Sequence, residues 1–328
     1  MGHSARILTA SISPDGVPLT TFELVMPRIV LAEFNTHRWF SRNSASSRAI
    51  PVAKMIRMVQ EDPYIPTHWG KNQKGMQADV EVDEPTAKRS EKAWLHARDL
   101  AVVQAQELLE LGIHKQITNR LLEPFMWHTV ICTATEWYNF FHLRNNPKAH
   151  PDIWVLAGMM QELYEDAREP EEVPYGKWHM PLLCPADILE ACARLDGGKL
   201  WGTGEVPREL LSDRVEELLM HVSSARCARV SLLTHEGKRD LDDDLGLHDE
   251  LLTNGHMSPF EHVARPATPQ DDSLRYYVTK ERDFAGADQP DRWQHPREQR
   301  HGNFVGWVQY RKTIPYEADI LAPREEAA

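Results

Sequence analysis

Asn35-Thr-His-Arg-Trp-Phe-Ser-Arg-Asn-Ser-Ala-Ser-Ser-Arg48 is the stretch on which the reading of this chain turns. Its fourteen residues hold three arginines, one histidine, two asparagines and four serines. The apolar run before it, Phe22 to Phe34, contains Leu24, Val25, Ile29, Val30 and Leu31 and predicts a strand. A cationic, donor-rich loop after a buried strand suits an anion, because guanidinium forks, hydroxyls and backbone N–H groups all donate to phosphate oxygens. The same composition also describes a solvated loop with scattered charge.

Composition narrows the classes. A chain of 328 residues can form one large domain or two ordinary ones. Hydrophobic content of 41% and charged content of 26% are those of a soluble globular protein. No apolar run reaches about 18 residues, so no membrane span is expected. The start, Met1-Gly-His-Ser-Ala-Arg, lacks the apolar core of a signal peptide. The four cysteines (Cys132, Cys184, Cys192, Cys227) show no Cys-x-x-Cys spacing and predict reduced thiols, a cytoplasmic setting and no metal site. A net charge of −12 argues against a nucleic-acid partner, which needs a basic face. It does not exclude a small phosphorylated substrate, since a few placed arginines dominate the potential of a cleft.

Periodicity organises the rest. A short helix is predicted near Val52–Glu61, then a loop whose Tyr64, His68 and Trp69 either pack on the core or line a pocket. Trp94, Ala97, Ala101, Ala105 and Leu108 recur at helical steps between Glu84 and Leu111, and Gly112 ends the run. His114–Leu122 reads as a second short helix stopped near Pro124, and Thr129–Arg144 as another, with Trp137, Phe140 and Phe141 on its apolar side. Met159, Met160, Leu163 and Tyr164 continue a helix as core filler. Residues 168–206, rich in Pro, Glu and Gly, read as a connector with a helix near Ala186–Leu195. Helices follow over Pro207–Val222 and Leu241–Thr253, the latter ended by Asn254-Gly255. Gly302–Arg311 reads as a helix packing aromatic residues on the core. The expected division is 1–165, a connector over 166–206, and a half over 207–328 packed into the same domain.

The order of residues in the opening loop resembles the signature of the flavin-dependent thymidylate synthases, Arg-His-Arg-x-x-Ser-x-Asn-Glu-x-Ser-x-Arg. His37, Arg38, Ser41, Asn43, Ser46 and Arg48 fall on its fixed positions, while Thr36 replaces the first Arg and Ser44 the Glu. Gly112 to Pro124 is similar to the family's Gly…Arg-x-x-Leu-Pro, with Arg120 as the arginine. Phe141-His-Leu-Arg-Asn-Asn-Pro-Lys-Ala-His-Pro-Asp-Ile153 resembles Phe-Leu-x-Leu-Arg-x-x-x-x-Ala-Gln-Pro-Glu-Ile-Arg, with His150 for Gln, Asp152 for Glu and Trp154 for Arg. Ser223–Ser231 resembles Ala-Ala-Arg-Val-Ser, and His256-Met-Ser-Pro-Phe-Glu-His262 resembles His-x-Ser/Thr-Pro-Phe-Glu-His. In the family these last two elements come first; here they come last, so the chain reads as a circular permutation. The implied fold is α+β, an antiparallel sheet with long helices, in which Phe22–Phe34 pairs with a strand just after His262.

The resemblance implies FAD, with NADPH and methylenetetrahydrofolate as cosubstrates, a pyrimidine deoxynucleotide monophosphate as substrate, and a homotetramer that shares its sites. Adding one carbon to C5 of a pyrimidine needs an electron carrier that side chains do not supply. Cys132 and Cys227 read as small core residues rather than nucleophiles. The resemblance places Ser46, Arg48 and Arg120 on the phosphate, with backbone N–H groups of the turn from Ser44 helping. Arg144 falls on the ring edge, where it stabilises developing charge. Glu33 stands near the substrate in place of Gln. His37, Arg38, Asn43, Asn139, His150, Ser231, His256, Ser258 and Glu261 fall on or beside the flavin. Alone, Arg120 reads as a surface arginine and His256 as a capping or core histidine. Arg144 and Ser46 are the catalytic candidates, although no general base is spaced to activate Ser46 as a nucleophile. Three activities stay open: dUMP to dTMP, hydroxymethylation of dUMP or dCMP, and nucleotide binding without flavin or catalysis. Thr36, Ser44, Glu33 and His150 keep the second open. Asn145 and Asn146 beside Arg144 can satisfy uracil or cytosine, because an amide both donates and accepts.

Overall fold

β1 (Ser4–Ile12) and β2 (Pro18–Pro27) form an antiparallel hairpin in the computed structural model, which describes residues 2–78, 80–166, 169–195, 210–230, 239–273, 276–278, 292–294, 302–314 and 317. Gly16 closes the turn at φ +77°, where a Cβ would be strained. β3 (Ser41–Ser44) and β2 flank β4 (Trp127–Ala134), both antiparallel to it. β5 (Glu171–Glu172) adds a short parallel edge, giving the order β3-β4-β2-β1-β5. β6 (Ala264–Pro266) pairs with β9 (Trp307–Gln309), and β7 (Tyr276–Val278) with β8 (Arg292–Gln294). The described fold is thus mixed α+β.

Helices pack around this frame: α1 (Leu31–Phe34), α2 (Val52–Glu61), α3 (Glu84–Glu110), α4 (Lys115–Thr118), α5 (Tyr138–Arg144), α6 (Pro151–Glu165), α7 (Pro185–Leu195), α8 (Asp213–Ala228) and α9 (Leu241–Thr253). Strand alternation sorts the two faces of the main sheet. Phe22, Leu24 and Met26 of β2 join Val130, Cys132 and Ala134 of β4 in a core with Phe34, Phe140, Ile153 and Met160. On the other face, Ile131 packs with Ala45, Leu182, Cys227 and Val230. α2 and α3 form a separate core with Leu122 and Phe125. α7, α8 and α9 form another with Phe260 and Tyr310.

Local chemistry explains most helix ends. Asp83 accepts from the Thr86 N–H at 2.9 Å, with proline in the first turn, and starts α3. Gly112, at φ +76°, ends it. Asp240 caps α9 and Gly255, at φ +73°, follows it. α2 and α9 have the expected bounds, and α3 and α7 match theirs to one residue.

Five expectations are corrected. The strand read over Phe22–Phe34 stops at Pro27, after which a 3-10 turn and α1 bury Val30, Leu31 and Phe34. Thr129–Arg144 is not one helix: its first part is β4, whose β-branched Thr129, Val130, Ile131 and Thr133 suit a buried strand, and only Tyr138–Arg144 is helical. The helix read over Pro207–Val222 runs from Asp213 to Ala228, started by the Ser212 cap; Pro207 lies outside the described residues. The tail read as a helix over Gly302–Arg311 instead contains β9 and a 3-10 turn, although its Phe304, Trp307 and Tyr310 do bury. The pairing expected between Phe22–Phe34 and a strand after His262 is absent as well: β2 pairs with β1 and β4, and β6 with β9. No described helix is long and apolar enough to cross a membrane, and no described His, Cys, Asp or Glu cluster is arranged to hold a metal ion.

Candidate active site

The loop from Glu33 to Arg48 brings residues into three groups. The first surrounds the turn after α1. Arg42 donates to the carbonyls of Phe34 (3.4 Å) and His37 (3.1 Å) and clamps the turn. Arg144, at the end of α5, donates through Nε to His37 Nε2 at 2.8 Å and through Nη2 to Thr36 Oγ1 at 3.2 Å. Thr36 in turn donates to the Glu33 carbonyl at 2.7 Å. Thr36, a departure from the family pattern, therefore acts as an acceptor that orients Arg144. Burial, then the charges of Arg144 and Arg42, lower the His37 pKa to about 4. The ring is neutral near pH 7 and accepts from the guanidinium. Its other contacts are aromatic: Phe40 stacked at 5.9 Å and Phe140 edge-on at 4.9 Å.

The second group lies at the other end of the loop. Ser46 and Arg48 are exposed, and the 3-10 turn Ser47–Ala49 between β3 and α2 is pinned from beneath. Asn119 donates to the carbonyls of Ser47 (2.7 Å) and Ile50 (2.9 Å). Ser47 donates to Glu123 at 2.6 Å, and Arg120 donates to the same carboxylate oxygen at 2.7 Å. Arg28 pairs with its other oxygen at 3.7 Å. Arg28, Arg120, Glu123, Asn35 and Leu31 line a cleft of about 460 Å³. Glu123 stands directly before Pro124, where the family pattern has leucine. A carboxylate thus sits between two arginines that face the cleft, in the place an anion would take.

The third group joins the two ends of the chain. Asn43 on β3 meets the Ser258 carbonyl (3.2 Å) and the His262 ring (3.2 Å). Gln309 donates to Ser41 Oγ (3.0 Å), Asn303 Oδ1 (2.8 Å) and the Glu261 carbonyl (3.3 Å). Asn303 donates to the Trp39 carbonyl at 2.7 Å, and Arg311 pairs with the Glu261 carboxylate. The tail from Asn303 to Arg311 therefore stitches the 39–43 segment to the Pro-Phe-Glu-His element.

Other expected residues take varied places. His256 and Ser258 are exposed beside the third group, Asn139 is exposed on α5, and Arg38 is exposed on the loop. His150 caps α6, accepting from the Asp152 N–H at 3.3 Å. Asp152 is buried, accepts from the Tyr64 hydroxyl at 2.7 Å and lies 3.0 Å from the His3 ring nitrogen. Burial alone would raise its pKa, but the bonds from His3 and Tyr64 and the charges of His3 and His150 hold it below the usual value. Ser231 lies outside the described residues. Ser46 and Glu261 fall in different groups, and neither lines the 460 Å³ cleft. Burial pushes the Cys132 and Cys227 thiols well above their usual range, so neither supplies a thiolate.

Arg28, Glu123, Asn303, Gln309 and Arg311 have no role that the sequence alone assigns. Glu123 carried a signal, being a charge in the leucine position of a recognised pattern. Gln309 and Arg311 carried none, because their roles depend on which segments the fold brings together.

Residues 13–168 match the family model described as thymidylate synthase complementing protein. The match spans just under half of the chain. The match takes in Glu33 to Arg48, Arg120 and Arg144, which form the first two groups. The third group draws on residues 258–311, beyond the span matched by the thymidylate synthase complementing protein model. Two structures of the UMP/dUMP methylase PolB from Streptomyces cacaoi, bound with 5-Br UMP and 5-Br dUMP, give TM-scores of 0.42 and 0.41 at 17% and 16% identity. Each covers 49% of this chain, and 88% and 89% of the respective PolB chains. Similarity of that degree decides nothing about this chain's chemistry. No curated protein matches it.

Proposed function

We propose that this protein transfers a one-carbon unit to C5 of a pyrimidine deoxynucleotide, converting dUMP to dTMP with methylenetetrahydrofolate as carbon donor and NADPH as reductant. The observation that carries this reading is Arg144 held against His37 and Thr36 within the span that matches the thymidylate synthase complementing protein family. A fixed guanidinium beside a neutral imidazole can read a pyrimidine carbonyl and stabilise negative charge on the ring as C5 attacks. Arg120, Arg28 and the Ser46–Arg48 turn take the phosphate, with Glu123 yielding Arg120 to it. Glu33 accepts from the ring or from a bound water. No step needs a thiolate.

The residues fit FAD. Asn43, the 256–262 element and Arg38 offer acceptors, donors and a cation at one edge of β3, and the loop around His37 is aromatic. When bound, FAD supplies the electron transfer that side chains lack. Arg38, Asn43, Asn139, His256, Ser258 and Glu261 hold it, with Ser231 and His150 as flanking contacts. Glu261 does so with its charge balanced by Arg311.

The homotetramer and the circular permutation belong to the same proposal. Leu100, Val103, Leu111 and Ile117 lie exposed on and after α3, and a protein–protein contact would cover them. Sharing of sites between subunits brings Ser46 and Glu261 to one nucleotide and one flavin.

The test is direct. Purified protein should be yellow with bound FAD. With dUMP, methylenetetrahydrofolate and NADPH, mass spectrometry should find dTMP. A hydroxymethyl product, from dUMP or from dCMP, would replace the methylation reading with hydroxymethylation. Colourless protein that binds dUMP without turnover would remove catalysis altogether.

A further inference from the structure

Asn43 ends a hydrogen-bonded chain that crosses the main sheet. The Asn43 amide suits its surroundings one way round, with its nitrogen facing Arg42 O (3.0 Å), Ser258 O (3.2 Å) and His262 Nε2 (3.2 Å), acceptors that share its two hydrogens. Backbone carbonyls only accept, so the atom facing them carries hydrogen. His262 Nε2 is then an acceptor, and the proton of its neutral ring sits on Nδ1. Nδ1 lies 2.7 Å from Thr133 Oγ1 and donates to it. The Thr133 hydroxyl proton passes to Thr21 at 2.8 Å. Thr21 donates to His179 Nε2 at 2.8 Å, and His179 Nδ1 donates to Ser11 Oγ at 2.8 Å. This is the arrangement in which each of these protons has an acceptor. Ser11, Thr21, Thr133, His179 and His262 are all fully buried, with 0% exposure.

Five buried polar side chains in line are costly unless every one is satisfied, and an apolar set of similar shape would fill the space at less risk. What the chain adds is direction. It starts beside β1, crosses β2 and β4 and reaches the edge strand β3, so the amide orientation that the two carbonyls favour is also tied to the imidazole tautomers across the sheet. We propose that His262 and His179, acting through Thr133 and Thr21, are positioning residues that hold Asn43 with its nitrogen inward and its Oδ1 turned the other way, as an acceptor for an N–H group of the bound heterocycle. That the heterocycle is FAD rests on the proposed function; the direction of the chain does not.

The experiment uses the full chain labelled with ¹⁵N-histidine. NMR near pH 7 should find His262 neutral, with Nε2 unprotonated and Nδ1 protonated. Thr133→Val keeps the side-chain shape and removes the hydroxyl. It should abolish that tautomer preference and weaken FAD binding about tenfold, the scale of one lost hydrogen bond. Thr133→Ser should restore both. Asn43→Asp, at the sheet edge, offers a second route if Thr133→Val does not fold. An oxygen would then face His262, and the proton should move to Nε2. A wild-type His262 with its proton on Nε2 would overturn the proposal, as would an unchanged tautomer and FAD affinity in Thr133→Val. If the wild-type protein binds no FAD, the flavin reading fails, and the tautomers alone decide the direction of the chain.

Discussion

At the scale of single residues, the geometry makes Glu123 and Arg144 separable. Glu123 shares its carboxylate among Ser47, Arg120 and Arg28, so under the proposed function a nucleotide phosphate would compete with it for Arg120. Glu123→Gln keeps the shape and removes the charge. We expect dUMP to bind tighter by up to roughly fivefold, the scale of a partly exposed ion pair, with little change in the maximal rate, as KM and kcat will show. Arg144→Ala and Ser46→Ala should each lose turnover while keeping the wild-type circular dichroism; full activity in Arg144→Ala would remove it from the mechanism. Burial holds His262 at about 3, and burial together with Arg28 holds His128 at about 3. Unfolded histidine titrates at ~6.5. The unfolded state therefore takes up protons first as pH falls. Stability present above that value is lost progressively toward pH 3, by about 1.4 kcal/mol per pH unit per histidine. Urea unfolding from pH 7.5 to 5 should show this slope, and His262→Gln should make it shallower by about one proton.

At the scale of elements, Arg226 has the largest expected effect on stability. Its fully buried guanidinium on α8 binds Asp187 of α7 (2.6 and 2.8 Å) and Asp244 of α9 (2.7 Å). Arg226→Ala leaves two buried carboxylates short of their partner and should cost about 3–5 kcal/mol, read by thermal or urea unfolding. This network was invisible in the sequence, because its members are distant in the chain and nothing in their local pattern links them. α2, α3 and α9 were legible, since their periodicity and stop signals agree: Gly112 and Gly255 end helices as their positions imply. β4 is hidden from a sequence reading because the aromatic spacing at Trp137, Phe140 and Phe141 marks α5 and carries the helical pattern back through a β-branched run. That run, Thr129 to Thr133, was the better signal. The site shows the same division. The local motifs around His37, Arg120 and Arg144 were readable, whereas Glu123, Gln309 and Arg311 matter only through partners the fold supplies.

At the scale of the whole molecule, the exposed apolar residues at the end of α3 are the first place to test assembly. Leu111 is 69% exposed and Ile117 57%. If the proposed tetramer uses this surface, Leu111→Asp and Ile117→Asp should lower the mass measured by light scattering to that of a smaller species, and should lower activity if sites are shared between subunits. Unchanged mass in both variants would move the interface elsewhere. The tail from Asn303 to Arg311 carries another consequence. The part of the chain that matches the family ends at residue 168, yet Trp39 and Ser41 are fastened by Asn303 and Gln309. A fragment trimmed to the family boundary would keep every recognisable motif of the early loop and lose the fastener that shapes it. Heredity and mechanical integrity are drawn along different borders in this molecule, and a dissection guided by the first should yield a polypeptide that looks complete on paper and does not work.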